Sequence, residues 1–223
     1  MQVPREVPIM ILPEATLFPQ ALLPLFIFER RYRKMLADSL NSHRMFTVAM
    51  QRPDLKRETP LPVAGLGLIR VSVGHPDGTS HLILQGLTRV ELAEVVQVKP
   101  YRVTRVRPLP TPPCDTVAAD ALLTKVRELL KEWIELGVAL PFPFPKHNPK
   151  TSGKAAGSSK QILGYLESLT NPEQAADLIS CAVLRHAADR QAILEAVDVE
   201  TRLRRLTKFL LVEVRRKGER DRE

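Results

Sequence analysis

At 223 residues, with 44% hydrophobic and 26% charged residues, the chain has the size and balance of one large or two small globular domains. That composition excludes wholesale disorder, collagen and a coiled-coil rod. The net charge of +8 and pI of about 9.8 invite a nucleic-acid partner, yet nine basic against four acidic residues from Arg202 to Glu223 carry +5 of that excess.

The two cysteines, Cys114 and Cys181, suit a reduced, cytoplasmic chain rather than a disulfide scaffold. Met1 to Glu6 lacks the basic start of a signal peptide. The longest uncharged run, Ala15–Phe28, has 14 residues and two prolines, short of the ~20 apolar residues that span a bilayer. A soluble protein without a membrane partner is therefore expected.

The first elements read as short strands, Val7–Leu12 and Leu22–Phe28, separated by a proline-bounded loop that contains Leu17 and Phe18. Glu29–Leu40 changes period, with Tyr32, Met35, Leu36 and Leu40 on one helical face. Strands follow at Met45–Met50 and Val63–Val73, where Gly65 and Gly67 suggest a bulge or a barrel corner. Pro76-Asp77-Gly78-Thr79 is a turn joining Ile69–Val73 to His81–Leu84, and Arg89–Val98 pairs with Arg102–Val106. Six or seven short strands and one helix imply a small, partly closed β-barrel.

Four prolines between Pro108 and Cys114 make a stiff linker, after which the pattern turns helical. Asp115 caps a helix to about Leu136 with Ala118, Leu122, Val126, Leu129, Leu130 and Trp133 inward. Ser158 or Ser159 begins a short helix through Leu169, Asn171-Pro172-Glu173 starts another, a fourth covers Ala187–Ala196, and Asp198 caps the last. The expected organisation is α+β: a barrel over 1–108, a linker at 109–114, a helical bundle over 115–217 interrupted by 137–159, and a charged tail at 218–223. The interruption holds Phe142 and Phe144 between prolines and reads as a mobile loop or as a binding arm.

Chemistry is harder to find. His75, His81 and Asp77 flank one turn and could in principle approach a zinc ion, but hairpin-tip histidines are ordinary and no cysteine is near in sequence. His186, beside Arg185, reads as polar surface or a helix end, and His147 lies in the 137–159 interruption, where no base would be held in place. Gly153-Lys154 lacks the spacing of a phosphate loop, and Ser159-Lys160 lacks the buried lysine of a Ser–Lys dyad. Cys181, Trp133, Tyr165 and Phe209 read as core. No catalytic residue, metal site or cofactor is expected. A basic stretch of Lys99, Arg102, Arg105 and Arg107 around Tyr101 reads either as a phosphate-binding stripe or as a solvated strand face.

Several pieces in order resemble the N-terminal domain of Lon proteases. They are Val7-Pro8-Ile9-Met10-Ile11-Leu12-Pro13, Leu17-Phe18-Pro19, Leu23-Pro24-Leu25-Phe26-Ile27-Phe28-Glu29 and Arg31-Tyr32, then Leu84-Gln85-Gly86-Leu87-Thr88-Arg89-Val90 after the turn. In the second half Leu169 to Asp177, Ala188 to Glu195 and Asp198 to Leu203 resemble the helical extension of that domain. The resemblance implies a PUA-like barrel with a helical bundle that recognises substrates, and the chain looks like a stand-alone domain without the ATPase and peptidase modules. The leading expectation is thus a non-catalytic module for polypeptide segments or one dedicated protein, using Leu17, Phe18, Phe142 and Phe144. The alternative is RNA or DNA binding through Lys99, Tyr101, Arg102, Arg105 and Arg107. A homo-oligomer is compatible with either.

Overall fold

The computed structural model describes residues 2–55, 58–136 and 164–220. Six strands come first: β1 Glu6–Leu12, β2 Leu22–Ile27, β3 Met45–Met50, β4 Val63–Gly74, β5 Ser80–Gln97 and β6 Val103–Pro108, with helix α1 Arg30–Leu40 between β2 and β3. Helices α2 Thr116–Glu135, α3 Pro172–Val183, α4 Ala187–Glu195 and α5 Val199–Arg220 follow. Residues 164–168 are also helical. The chain divides into two units. One comprises the residues up to Pro110 with Arg190–Glu195, the other Thr111–Asp189 with the residues from Ala196 onward. The second half of α4 thus groups with the strands instead of with the helical part, where the sequence pattern had placed it.

In the first unit the strand order is β2-β5-β4-β3-β1-β6, and β6 also pairs with β5. The ladder therefore returns on itself through β5, β4, β3, β1 and β6. All neighbours are antiparallel except β1 and β3, which run parallel through Ile9–Thr47 to Leu12–Met50. One buried cluster takes Val7, Ile9 and Ile11 from β1, Met45 and Ala49 from β3, Ala64 and Leu66 from β4, Val90 from β5 and Val106 from β6. All five strands of the ring contribute. The opposite parity, Met10, Phe46, Val48, Ile69 and Leu84, packs with Tyr32, Met35 and Leu36 of α1. Both faces of β1 and β3 are covered, so these strands are continuous apolar runs rather than alternating ones.

The sequence divides β5 in two at Gln85–Thr88, but the structure has one 18-residue strand. Its first part is hydrogen-bonded to β2 from Leu22–Gln85 to Ile27–Ser80, and its later part to β6 from Val90–Pro108 to Gln97–Val103. The polar residues between remain extended because β4 accompanies them as far as Glu91. The β4–β5 turn forms as its residues dictate: Gly78 has φ of +80°, and Asp77 Oδ1 accepts from Thr79 N at 2.9 Å and from its hydroxyl at 2.7 Å.

In the second unit Asp115 caps α2 by accepting from Val117 N at 2.9 Å, and Asn171 caps α3 by accepting from Gln174 N at 2.9 Å with Pro172 at the first position. Asp198 Oδ1 accepts from Thr201 N at 2.7 Å at the start of α5. Helices α2, α3 and α5 pack on one another, with Leu203, Leu206, Leu210 and Val214 as the buried stripe of α5. On α2 the inward residues are Ala119 and Leu123, not Ala118 and Leu122. The shift turns the N-terminal half by one residue, because two partner helices set its angle and Ala118 and Leu122 stay half-buried beside it. Tyr165, expected in the core, is 52% exposed, while Trp133 is buried at 1% and Cys181 and Phe209 are half-buried.

Candidate functional site

The site begins with the parity of β2. Ile27 points inward at 2% exposure, so Leu22, Pro24 and Phe26 point outward, and Phe28 continues the outward row just past the strand. Leu22, Phe26 and Phe28 are 57%, 49% and 60% exposed. Cross-strand register extends this row sideways: Pro24 faces Ile83, which faces Val71, and Phe26 faces His81, which faces Val73. Val71 and Val73 are 52% and 54% exposed. The outer surface of β2, β5 and β4 is therefore a largely apolar face, crossed by His81 and bordered by Gln85. Such faces on soluble proteins mark interaction sites.

Aromatic rings organise its centre. The Phe26 ring lies 4.7 Å from that of His81 and 5.9 Å from that of Phe28, centroid to centroid. His81 Nδ1 is 2.7 Å from His75 Nε2, one of the two nitrogens carrying the shared proton. Asp77 turns its carboxylate back onto Thr79, and among the described residues no three His, Cys, Asp or Glu side chains converge on a metal position. Sequence reasoning did not select Phe26, Phe28, Val71 or Val73. The available signal was the shared parity of Leu22, Pro24, Phe26 and Phe28; that among the described residues β2 has no strand on its other side lies in the topology.

Leu17 and Phe18, expected to face a partner, are buried at 1% and 0%. The cause lies in three glycines of the sheet. A Cβ at Gly65 or Gly86 would collide with the carbonyl oxygen of Leu17 or Phe18, and one at Gly67 with the side chains of Leu84 and Leu17. The loop therefore lies flat on a strip without side chains, tied down by Gln20 N to Gly86 O at 2.8 Å and Gly86 N to Ala21 O at 2.9 Å. The glycines that the sequence assigned to a bulge do sit at a register shift, between Leu66 and Gly67, and they also receive this loop. Phe142 and Phe144, and with them Gly153-Lys154 and Ser159-Lys160, fall outside the described residues.

The basic stretch is distributed among carboxylates. Arg105 bonds Glu6 at 3.1 Å and Glu94 at 2.5 Å, and Arg107 bonds Glu91 at 2.9 Å. Tyr101 donates its hydroxyl to Asp38 Oδ2 at 2.8 Å; burial first, then that carboxylate, push its pKa up to about 12. Arg102 donates to the Glu58 carbonyl oxygen at 2.5 Å, and Lys99 is exposed. Arg105 and Arg107 of the stripe thus have carboxylate counter-charges on neighbouring strands, while Arg102 is held by a carbonyl oxygen. Beside it, Arg31 grips the Glu58 carboxylate with two N–H groups at 2.5 and 2.6 Å. That grip holds Glu58 below the usual carboxylate range against the opposing effect of burial.

Comparison with known proteins joins these observations. A family model described as the ATP-dependent protease La (LON) substrate-binding domain matches residues 6–212. The chain is similar to the Lon protease of Trichlorobacter lovleyi, 28% identical over 214 residues covering 93% of this chain and 24% of that protein. It is also similar to the Lon protease of Dictyoglomus thermophilum, 25% identical over 215 residues, 95% of this chain and 25% of that one. The chain therefore spans about a quarter of the length of these curated relatives. Among solved structures, the N-terminal domain of the Mycobacterium avium complex Lon protease superposes with a TM-score of 0.69 at 18% identity, over 92% of this chain and 97% of that one. A Lon N-terminal domain protein from Xanthomonas campestris gives 0.59 at 18% identity, over 90% and 96%. With the fold shared over nearly the whole length and the family model matching 6–212, the chain belongs to the Lon substrate-binding domain family.

Proposed function

We propose that the chain is a non-catalytic binding module for polypeptides, and that the outward face of β2, β5 and β4 is where they dock. The observation that carries this is the exposure of Leu22, Phe26, Phe28, Val71 and Val73, brought to one face across Ile83 and His81 of β5. Family membership supports it, since the matched model is that of a substrate-binding domain. The returning ladder of β5, β4, β3, β1 and β6 supports the description as a PUA-like, partly closed barrel. The mutual packing of α2, α3 and α5 supports a helical bundle beyond the proline-rich stretch. Among the described residues no helix is long and apolar enough to cross a membrane.

Apolar docking is tested by titrating the chain with a labelled, permanently unfolded protein and following anisotropy. Replacing Phe26 and Val73 together by serine should weaken binding tenfold or more while leaving the circular dichroism spectrum unchanged. Unaltered affinity in that variant removes the face from the proposal. Affinity that instead falls by ~0.7–0.9 log units per log unit of salt for each contact, with nucleic acid as ligand, belongs to phosphate neutralisation and contradicts the proposal.

A further inference from the structure

The ladder between β5 and β6 slips twice, between Leu92 and Val95 and again between Val95 and Gln97. At the slip lies a groove of about 310 Å³ whose other wall is the end of the β3–β4 connection. Its walls are apolar, with Ile9, Leu61, Leu92 and Val95 among them. Pro60 and Pro62 stand there as well, residues with no N–H to offer, and the Pro62 carbonyl oxygen already accepts from Leu92 N at 2.8 Å. Among the described residues the charged side chains of the lining are Arg52 and Arg102, and no carboxylate belongs to it.

The two cations differ in a useful way. Arg102 is half-buried and oriented by its Nη1 bond to the Glu58 carbonyl oxygen at 2.5 Å, which spends one of five N–H groups. The Glu58 carboxylate is itself gripped by Arg31. Arg52 is 47% exposed and reaches Asp54, 67% exposed, only at 3.9 Å, a pair weak enough to be exchanged for a better acceptor. A volume at the lower end of ligand sites admits a chain end and excludes a folded partner.

We propose that this groove captures the C-terminal end of a polypeptide whose last residues are apolar, the terminal carboxylate lying between Arg52 and Arg102. Apolar walls take the side chains, and the two guanidinium groups form with a terminal carboxylate the ion pairs that a neutral internal peptide unit cannot form. The inference rests on the polypeptide-binding reading but uses a different surface from the Phe26 face. It makes the chain sensitive to where an apolar segment stops, not only to its presence.

The test uses the full chain and a fluorescein-labelled octapeptide ending in Val-Leu, as the free acid and as the C-terminal amide. The acid should bind tenfold or more tightly than the amide. Arg52→Ala, at an exposed position that leaves the fold intact, should abolish that difference, and Arg102→Gln should do the same. Equal binding of acid and amide overturns the inference while leaving the Phe26 face untouched. Octanoate competing at concentrations no higher than the peptide assigns the groove to a small apolar acid and overturns it as well. Loss of binding to unfolded protein in the Phe26→Ser, Val73→Ser double variant, with the acid–amide difference retained, shows the two sites to be separate and supports both.

Discussion

At the residue scale the helical unit is organised by one buried arginine. Arg202 is 0% exposed and bonds Asp177 Oδ1 at 3.0 Å, Thr111 Oγ1 at 3.0 Å and the Val197 carbonyl oxygen at 2.8 Å. Asp177 is 1% exposed. Glu173, 44% exposed, lies 3.5 Å from Arg202, so Asp177→Ala leaves the buried charge weakly compensated and should destabilise the chain by up to about 3–5 kcal/mol in urea unfolding. Replacing both partners by apolar residues of similar volume should recover much of that loss. In the strand unit, Tyr101 titrates late because burial and the Asp38 carboxylate oppose the phenolate. Its phenolate absorbance should appear with a midpoint of about 12, and Asp38→Asn should bring the midpoint down. The sign for stability follows from the raised pKa: the contribution is whole below the ordinary tyrosine value and is lost as pH climbs through about 12. Glu58 has the opposite sign. Its lowered pKa means a contribution present at neutral pH that fades on acidification below the ordinary carboxylate range, and Glu58→Gln should flatten that part of the stability–pH curve.

At the scale of elements, caps and glycines have different reach. Asn171 before Pro172-Glu173, and Asp115 and Asp198 before their helices, satisfy open N–H groups locally, so the sequence alone locates these helix starts. Asn171→Ala should cost about 1 kcal/mol and shift the urea midpoint without changing its slope. The glycines act over distance. Gly65, Gly67 and Gly86 are spread over two strands, and their role is visible only once the 13–21 loop lies on them. Gly86→Ala drives a methyl into the Phe18 carbonyl oxygen, so it should destabilise more than the 1–3 kcal/mol typical of overpacking and loosen the loop in hydrogen exchange. The same distance effect joined β5 into one strand: residues 85–88 carry no strong strand signal, but β4 alongside keeps them extended.

At the scale of the whole molecule, exposed apolar residues lie on the edge strand and not on the loop. Leu17 and Phe18 sit between prolines and read as exposed, yet they are core. Phe26 and Phe28 sit in an apolar run that the sequence reads only as a strand, and they face solvent. Phe26→Ser alone should change unfolding free energy by no more than about 0.5 kcal/mol while lowering polypeptide affinity, a separation that a core residue would not show. The basic stripe is the electrostatic counterpart. Charge reversal at Arg105 removes pairs with Glu6 and Glu94 on neighbouring strands.

What the amino-acid order determined by itself was the local part: strand and helix identity from hydrophobic period, helix starts from their caps, the β4–β5 turn from Asp77 and Gly78, and the family from motifs in sequence. The structural signals depend on residues a few positions apart, and the family on the order of short motifs along the chain. Tertiary structure alone decided which apolar residues are covered, which cations are paired and where a groove opens, because these depend on what lies across the sheet. A strand's parity is written in its sequence, but which parity meets water is set by its neighbours.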